Sequence, residues 1–221
     1  ETVRSAGPEE LRSFYNTWYR PDNMAIVAVG DTDPQRMVSL IEQYFAPVEK
    51  PESELQQPKT EEPDPEQRRF VTTTDPEAQN TAVQLIGFHD AFTLKSVKEY
   101  RTHLARRLYR EMVEGRLSEK TEQSEPPFVY GYFSLTSFIR PAESSVWGAL
   151  AKEGEVESAL RTLVKEAQRV ERHGFLKSEL ERAKDALRST MKHAYEEREK
   201  TESSRFAQEY VRNFLTGEAA P

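Results

Sequence analysis

The sequence predicts an α+β fold in which an antiparallel sheet is layered with helices. Three observations carry that expectation. The spacing of apolar residues alternates between helical and strand-like periods along the chain. After residue 67 the order reads strand, strand, helix, strand, strand and then helices only, which favours a segregated antiparallel sheet over a doubly wound parallel one. A proline- and acid-rich stretch divides the chain, separating residues 1–47 from residues 68–221.

"PEELRSFYNTWYR", from Pro8 to Arg20, sets Leu11, Phe14, Tyr15 and Trp18 three and four apart, so a short helix presents one apolar face. Pro8 suits its first turn. Met24 to Val29 is a continuous apolar run of the kind found in a strand covered on both sides. In "DTDPQRMVSLIEQYF", Asp33 is the N-cap, Pro34 the first helical residue, and Met37, Val38, Ile41 and Phe45 the buried stripe. The segment 47–67 holds five of the thirteen prolines and almost nothing apolar, too little to fold alone. Its prolines favour an extended linker over residues 48–67.

Beyond the linker, "RRFVTTT" and "TAVQLIGF" are predicted to pair as a hairpin across "DPEAQN". Val97, Tyr100, Leu104, Leu108 and Met112 then share a helical face, with Gly115 marking the expected end. "EPPFVYGYFSLTSFIRPAESSVWGALAKEG" gives two further strands joined at "RPAES". The remainder is helical. Val156, Leu160, Leu163, Ala167 and Val170 form one stripe closed by Gly174; Leu180, Ala183, Leu187 and Met191 form the next; Phe206, Tyr210, Val211 and Phe214 form the last. The tract 195–205 reads as a solvated helix face with pairs such as Glu196 and Lys200.

Composition removes several function classes. A net charge of −7, with bases interleaved among acids, gives nucleic acid no basic patch to bind. The absence of cysteine removes disulfides, thiolate zinc sites and a cysteine nucleophile. No run approaches the ~18 apolar residues of a membrane span. The chain opens at Glu1 without a leader-like segment and closes on "LTGEAAP", so we read it as a piece whose targeting information lies elsewhere. The turn "GDTDP" after the first apolar run carries only Gly30, and its two aspartates would repel a phosphate, so it is no dinucleotide cradle.

"FYNTWYRPDNMAIVAVGDTDPQRMVSLIEQYFAPV" resembles the zinc peptidases of the pitrilysin and insulinase type, the M16 family, in which "Y-x-P-x-N-M", an apolar strand, Gly-Asp and a helix ending in "YF" recur. The resemblance continues in order through the linker, "TAVQLIGF", "EGRLSEKTEQ" and "LERAKDALRSTMKHAYEEREKTESSRFAQEYVRNFL". It implies an M16 metallopeptidase-like (LuxS/MPP-like) half-domain. Residues 1–47 would end a preceding catalytic-type half-domain, 48–67 would connect, and 68–221 would form a second, truncated one.

Zinc hydrolysis in that family uses H-x-x-E-H on a helix. The four histidines here, His89, His103, His173 and His193, cannot compose that motif. His89 reads as part of a strand-ending turn, His103 as solvent-leaning, His173 as a helix-terminal cation and His193 as one charge among many. The resemblance therefore implies no catalytic residue and no metal on this chain, with zinc in the full-length parent. It implies an endopeptidase that encloses unfolded peptides between two half-shells, of which this chain supplies wall and substrate contacts. A non-catalytic binding or scaffold subunit that partners an active protease is the alternative.

Some members use an arginine and a tyrosine of the later half-domain near the substrate carbonyl. The matching region offers Arg116, Tyr130 and Tyr132 as substrate-binding candidates, without the usual short spacing. The two tyrosines share a strand face, which cross-strand packing explains as well, and Arg116 equally suits a helix terminus. The partners implied are the missing N-terminal catalytic half-domain, a peptide substrate and a second copy in a homodimer. Relatives sharing "PPF" imply a periplasmic or cell-envelope location, with the cytoplasm left open.

Overall fold

The structure is a computed structural model that describes residues 5–55 and 68–219. The greater part of the linker expected at 48–67 lies outside the described residues. The chain divides into two compact units, one of Glu1–Thr60 with Lys200–Pro221 and one of Glu61–Glu199.

In the first unit, helix α1 spans Pro8–Trp18 and α2 spans Pro34–Phe45. Asp33 caps α2 as the sequence predicts, its carboxylate accepting the Gln35 N–H at 2.9 Å. Helix α6, Ser203–Thr216, belongs to this unit and ends at Gly217 in the left-handed conformation. None of the three helices buries a residue. Met24 to Val29, expected as a strand, has extended backbone at Met24 but joins no ladder among the described residues. An apolar run becomes a strand only where a partner takes its amides, and none of the described residues of this unit does so.

The second unit is built on β1 (Thr81–Asp90), β2 (Tyr130–Ile139) and β3 (Ala142–Ala151). They form an antiparallel sheet in the order β1-β3-β2. Helix α3 (Val97–Thr121) packs on β2, and α4 (Val156–His173) packs on β1 and β3. Helix α5 (Lys177–Glu196) packs on α3. The core is where these layers meet. Val113 and Leu117 of α3, Ala159 and Leu163 of α4, Phe133, Ala149 and Ala151 of the sheet, and Phe128 ahead of β2 are all buried together. Phe128 lies so close to Gly131 that a Cβ there would stand 2.7 Å from its ring.

Three further expectations differ from the structure. Residues 68–74 form no strand, Phe70 and Val71 are almost fully exposed, and β1 pairs with β3 instead. The intervening turn does form, with the Ala78 N–H on the Asp75 carbonyl at 3.1 Å. Helix α3 runs through Gly115 to Thr121 because Val113, Arg116 and Leu117 around that glycine are all buried, and this outweighs a propensity loss of about 1 kcal/mol. The tract 195–205 is not one helical face: α5 stops at Glu196, a 3-10 turn spans Arg198–Lys200, and α6 starts at Ser203.

Candidate functional site

Alternation along β2 sends Gly131 and Phe133 into the core and leaves Tyr130 and Tyr132 on the face of the sheet opposite the core. The ladder register fixes their neighbours. Tyr130, Leu150 and Ala82 share one row, Tyr132, Gly148 and Gln84 the next, and Ser134, Val146 and Ile86 a third. Tyr132 lies flat across Gly148, where an added Cβ would stand 2.2 Å from the ring carbon Cζ. Gln84 Nε2 donates to the Tyr132 hydroxyl at 2.5 Å. Tyr130 stacks on Tyr132 with centroids 6.0 Å apart and planes 19° apart, and is itself 60% exposed. The product is an aromatic shelf that can take apolar side chains on its faces and a hydrogen bond at a phenol.

Arg116 lies elsewhere. It is buried on the helix side of the sheet, where Nε and Nη2 donate to the two Glu179 carboxylate oxygens at 2.6 and 2.9 Å and Nη2 also donates to the Gly174 carbonyl at 2.9 Å. Its guanidinium sits 4.7 Å from the Phe175 ring centroid. The hydrogen bond from Arg116, against an opposing effect of burial, lowers the Glu179 carboxyl from 4.5 to about 2, and the same bond raises the arginine. A groove of about 230 Å³ between α3 and α5 runs beside this pair, lined among others by Gly115, Glu119, Arg182 and Ala183. The structure thus joins Tyr130 with Tyr132 and separates both from Arg116.

Gln84 and Gly148 were not foreseen. A lone glycine inside a strand signals close approach of another group, and at Gly148 that group is the Tyr132 ring. No sequence signal points to Gln84, because its pairing depends on β1 lying two strands from β2.

The histidines are dispersed. His89 lies within β1 rather than in a turn, 2.8 Å from the Ser145 hydroxyl. His103 lies near the Tyr100 ring on α3, His173 falls in the last turn of α4, and His193 stands 3.7 Å from Glu197. Among the described residues no group of three or more histidines, aspartates or glutamates converges to hold a metal ion. These residues do not fit a zinc site. No helix among them is long and apolar enough to cross a membrane.

A family model described as the peptidase M16 inactive domain matches residues 5–187. The chain is 28% identical over 216 residues to a zinc protease PQQL-like protein of Arabidopsis thaliana, covering 97% of this chain and 20% of that protein. It superposes on the periplasmic protease PqqL of Escherichia coli with a TM-score of 0.81 at 20% identity, over 100% of this chain and 24% of that one. Against the first half of the same protease the TM-score is 0.79 at 20% identity, with 98% and 46% covered. The chain spans about a fifth of the length of the curated relatives it matches.

Proposed function

The chain belongs to the M16 peptidase family, as an inactive-type domain, and we propose on that premise that it is the non-catalytic part of a zinc-dependent endopeptidase acting on peptides or unfolded polypeptides. Residues 1–47 end a catalytic-type half-domain, 48–67 connect, and the sheet-bearing body within 68–221 is the second half-domain. Zinc and its ligands belong to the catalytic half-domain, outside these 221 residues. The sheet unit supplies wall, and Tyr130 and Tyr132 supply substrate contacts.

The observation that supports this reading best is the sheet closed by helices on one face and carrying the tyrosine shelf on the other. An extended peptide crossing such a face meets aromatic surface and a phenol, and a sheet edge can read its backbone. Arg116, engaged by Glu179, supports the shelf only through the fold.

Kinetics on the full-length protein with an unfolded polypeptide test the reading. Tyr130→Ala and Tyr132→Ala are expected to raise KM severalfold with kcat and zinc content near those of the parent. Unchanged KM in both variants would remove the tyrosines from the substrate path. A full-length protein that cleaves nothing alone but activates a second protease would favour the scaffold role. The periplasmic relative supports an envelope location for this protein as well, which fractionation tests.

A further inference from the structure

We propose that Arg20 is an anchor that fastens residues 51–53 to the turn at Arg20–Asn23 and so fixes the path on which the chain leaves the first unit. In this unit no apolar residue is buried among the described ones, yet Arg20 is 3% exposed. Its Nε and Nη2 donate to the two carboxylate oxygens of Asp22 at 2.5 and 2.8 Å. Nη2 also donates to the Ser53 carbonyl at 2.5 Å and, more weakly, to the Pro51 carbonyl at 3.4 Å. Arg20 therefore holds two backbone carbonyls more than thirty residues away, at the start of the proline-rich stretch.

The surrounding contacts set the guanidinium for that task. Pro21 begins a 3-10 turn, the Asn23 N–H bonds the Arg20 carbonyl at 2.9 Å, and Asn23 Nδ2 donates to the Trp18 carbonyl at 3.1 Å. Asp22 orients the fork from two residues away, and Lys50 approaches the same carboxylate at 3.9 Å. A guanidinium can donate in plane to a carboxylate and to carbonyls at once, which an ammonium cannot reproduce. The motif "YRPDN" thus carries a strap contact as well as a turn. Its consequence for domain placement rests on the reading of residues 48–67 as the connection between half-domains.

These 221 residues contain no cysteine, so once any cysteine elsewhere in the full-length protein is replaced by serine, a single introduced one takes a nitroxide label at a chosen place. Labels at Glu52→Cys beside the anchor and at Gln43→Cys on α2 are read in the full-length protein with Arg20 intact, Arg20→Ala or Arg20→Lys. The anchor predicts an immobilised spectral component at position 52 that is lost in Arg20→Ala and reduced in Arg20→Lys, with position 43 unchanged. Position 52 unchanged in Arg20→Ala overturns the proposal, as does equal loosening at position 43, which would assign Arg20 to the stability of the whole unit. A label pair at Gln43→Cys and Thr102→Cys separates the two claims. If position 52 loosens while the distance distribution between the pair stays the same, the anchor stands and the connection reading fails.

Discussion

At the scale of single residues, Arg116 and Glu179 behave as one group. They lie 63 residues apart in sequence, and both are nearly buried. Removing one partner leaves the other uncompensated, so Arg116→Leu is expected to cost about 3–5 kcal/mol in denaturant unfolding, and the double change Arg116→Met with Glu179→Leu distinctly less. Because the Glu179 carboxyl titrates lower when folded than its ordinary 4.5, the pair's contribution is complete above that value. It is lost as pH falls toward about 2. The difference in Tm between the parent and Glu179→Gln should therefore narrow across that window. Two glycines separate overpacking from side-chain displacement. Gly131→Ala meets the fully buried Phe128 ring and should cost about 1–3 kcal/mol. Gly148→Ala meets the outer end of Tyr132, which can swing away, so it should cost less in unfolding but dismantle the shelf and raise KM as Tyr132→Ala does.

At the scale of elements, the continuity of α3 yields a prediction of opposite sign. Gly115 is helical and has open space where a Cβ would stand, so Gly115→Ala should stabilise by about 0.5–1 kcal/mol, seen as a higher denaturation midpoint. At Gly115 local pattern misleads, because the helix end expected there is overridden by buried neighbours; in other elements it suffices. Strands β2 and β3, their tight junction at Arg140 and Pro141, and the stripes of α4 and α5 follow from local periodicity and turn chemistry. Met24 to Val29 and residues 68–74 have equally strand-like composition but join no ladder among the described residues, because pairing depends on a neighbour that local pattern does not name. Of the shelf, the tyrosine alternation was readable. The ring lying on Gly148 and its bond to Gln84 were not, since both depend on β3 falling between β1 and β2.

At the scale of the whole molecule, the chain has a cored sheet unit and a second unit whose helices α1, α2 and α6 leave Leu11, Phe14, Tyr44 and Phe214 more than half exposed. Together with a span of about a fifth of its relatives' length, this agrees with the proposal that the chain is one part of a larger peptidase. That the histidines cannot compose H-x-x-E-H is readable from their spacing, whereas the seat of Arg116 is not, because the short-range sequence around "EGRL" gives no hint of Glu179. A catalytic centre outside these residues is tested by measuring zinc per chain, by elemental analysis, on the full-length protein and on the 221-residue chain prepared alike. About one zinc is expected in the full-length protein, as a single family site requires, and none on the chain. Zinc held by the chain itself, or absent from both, would contradict that placement.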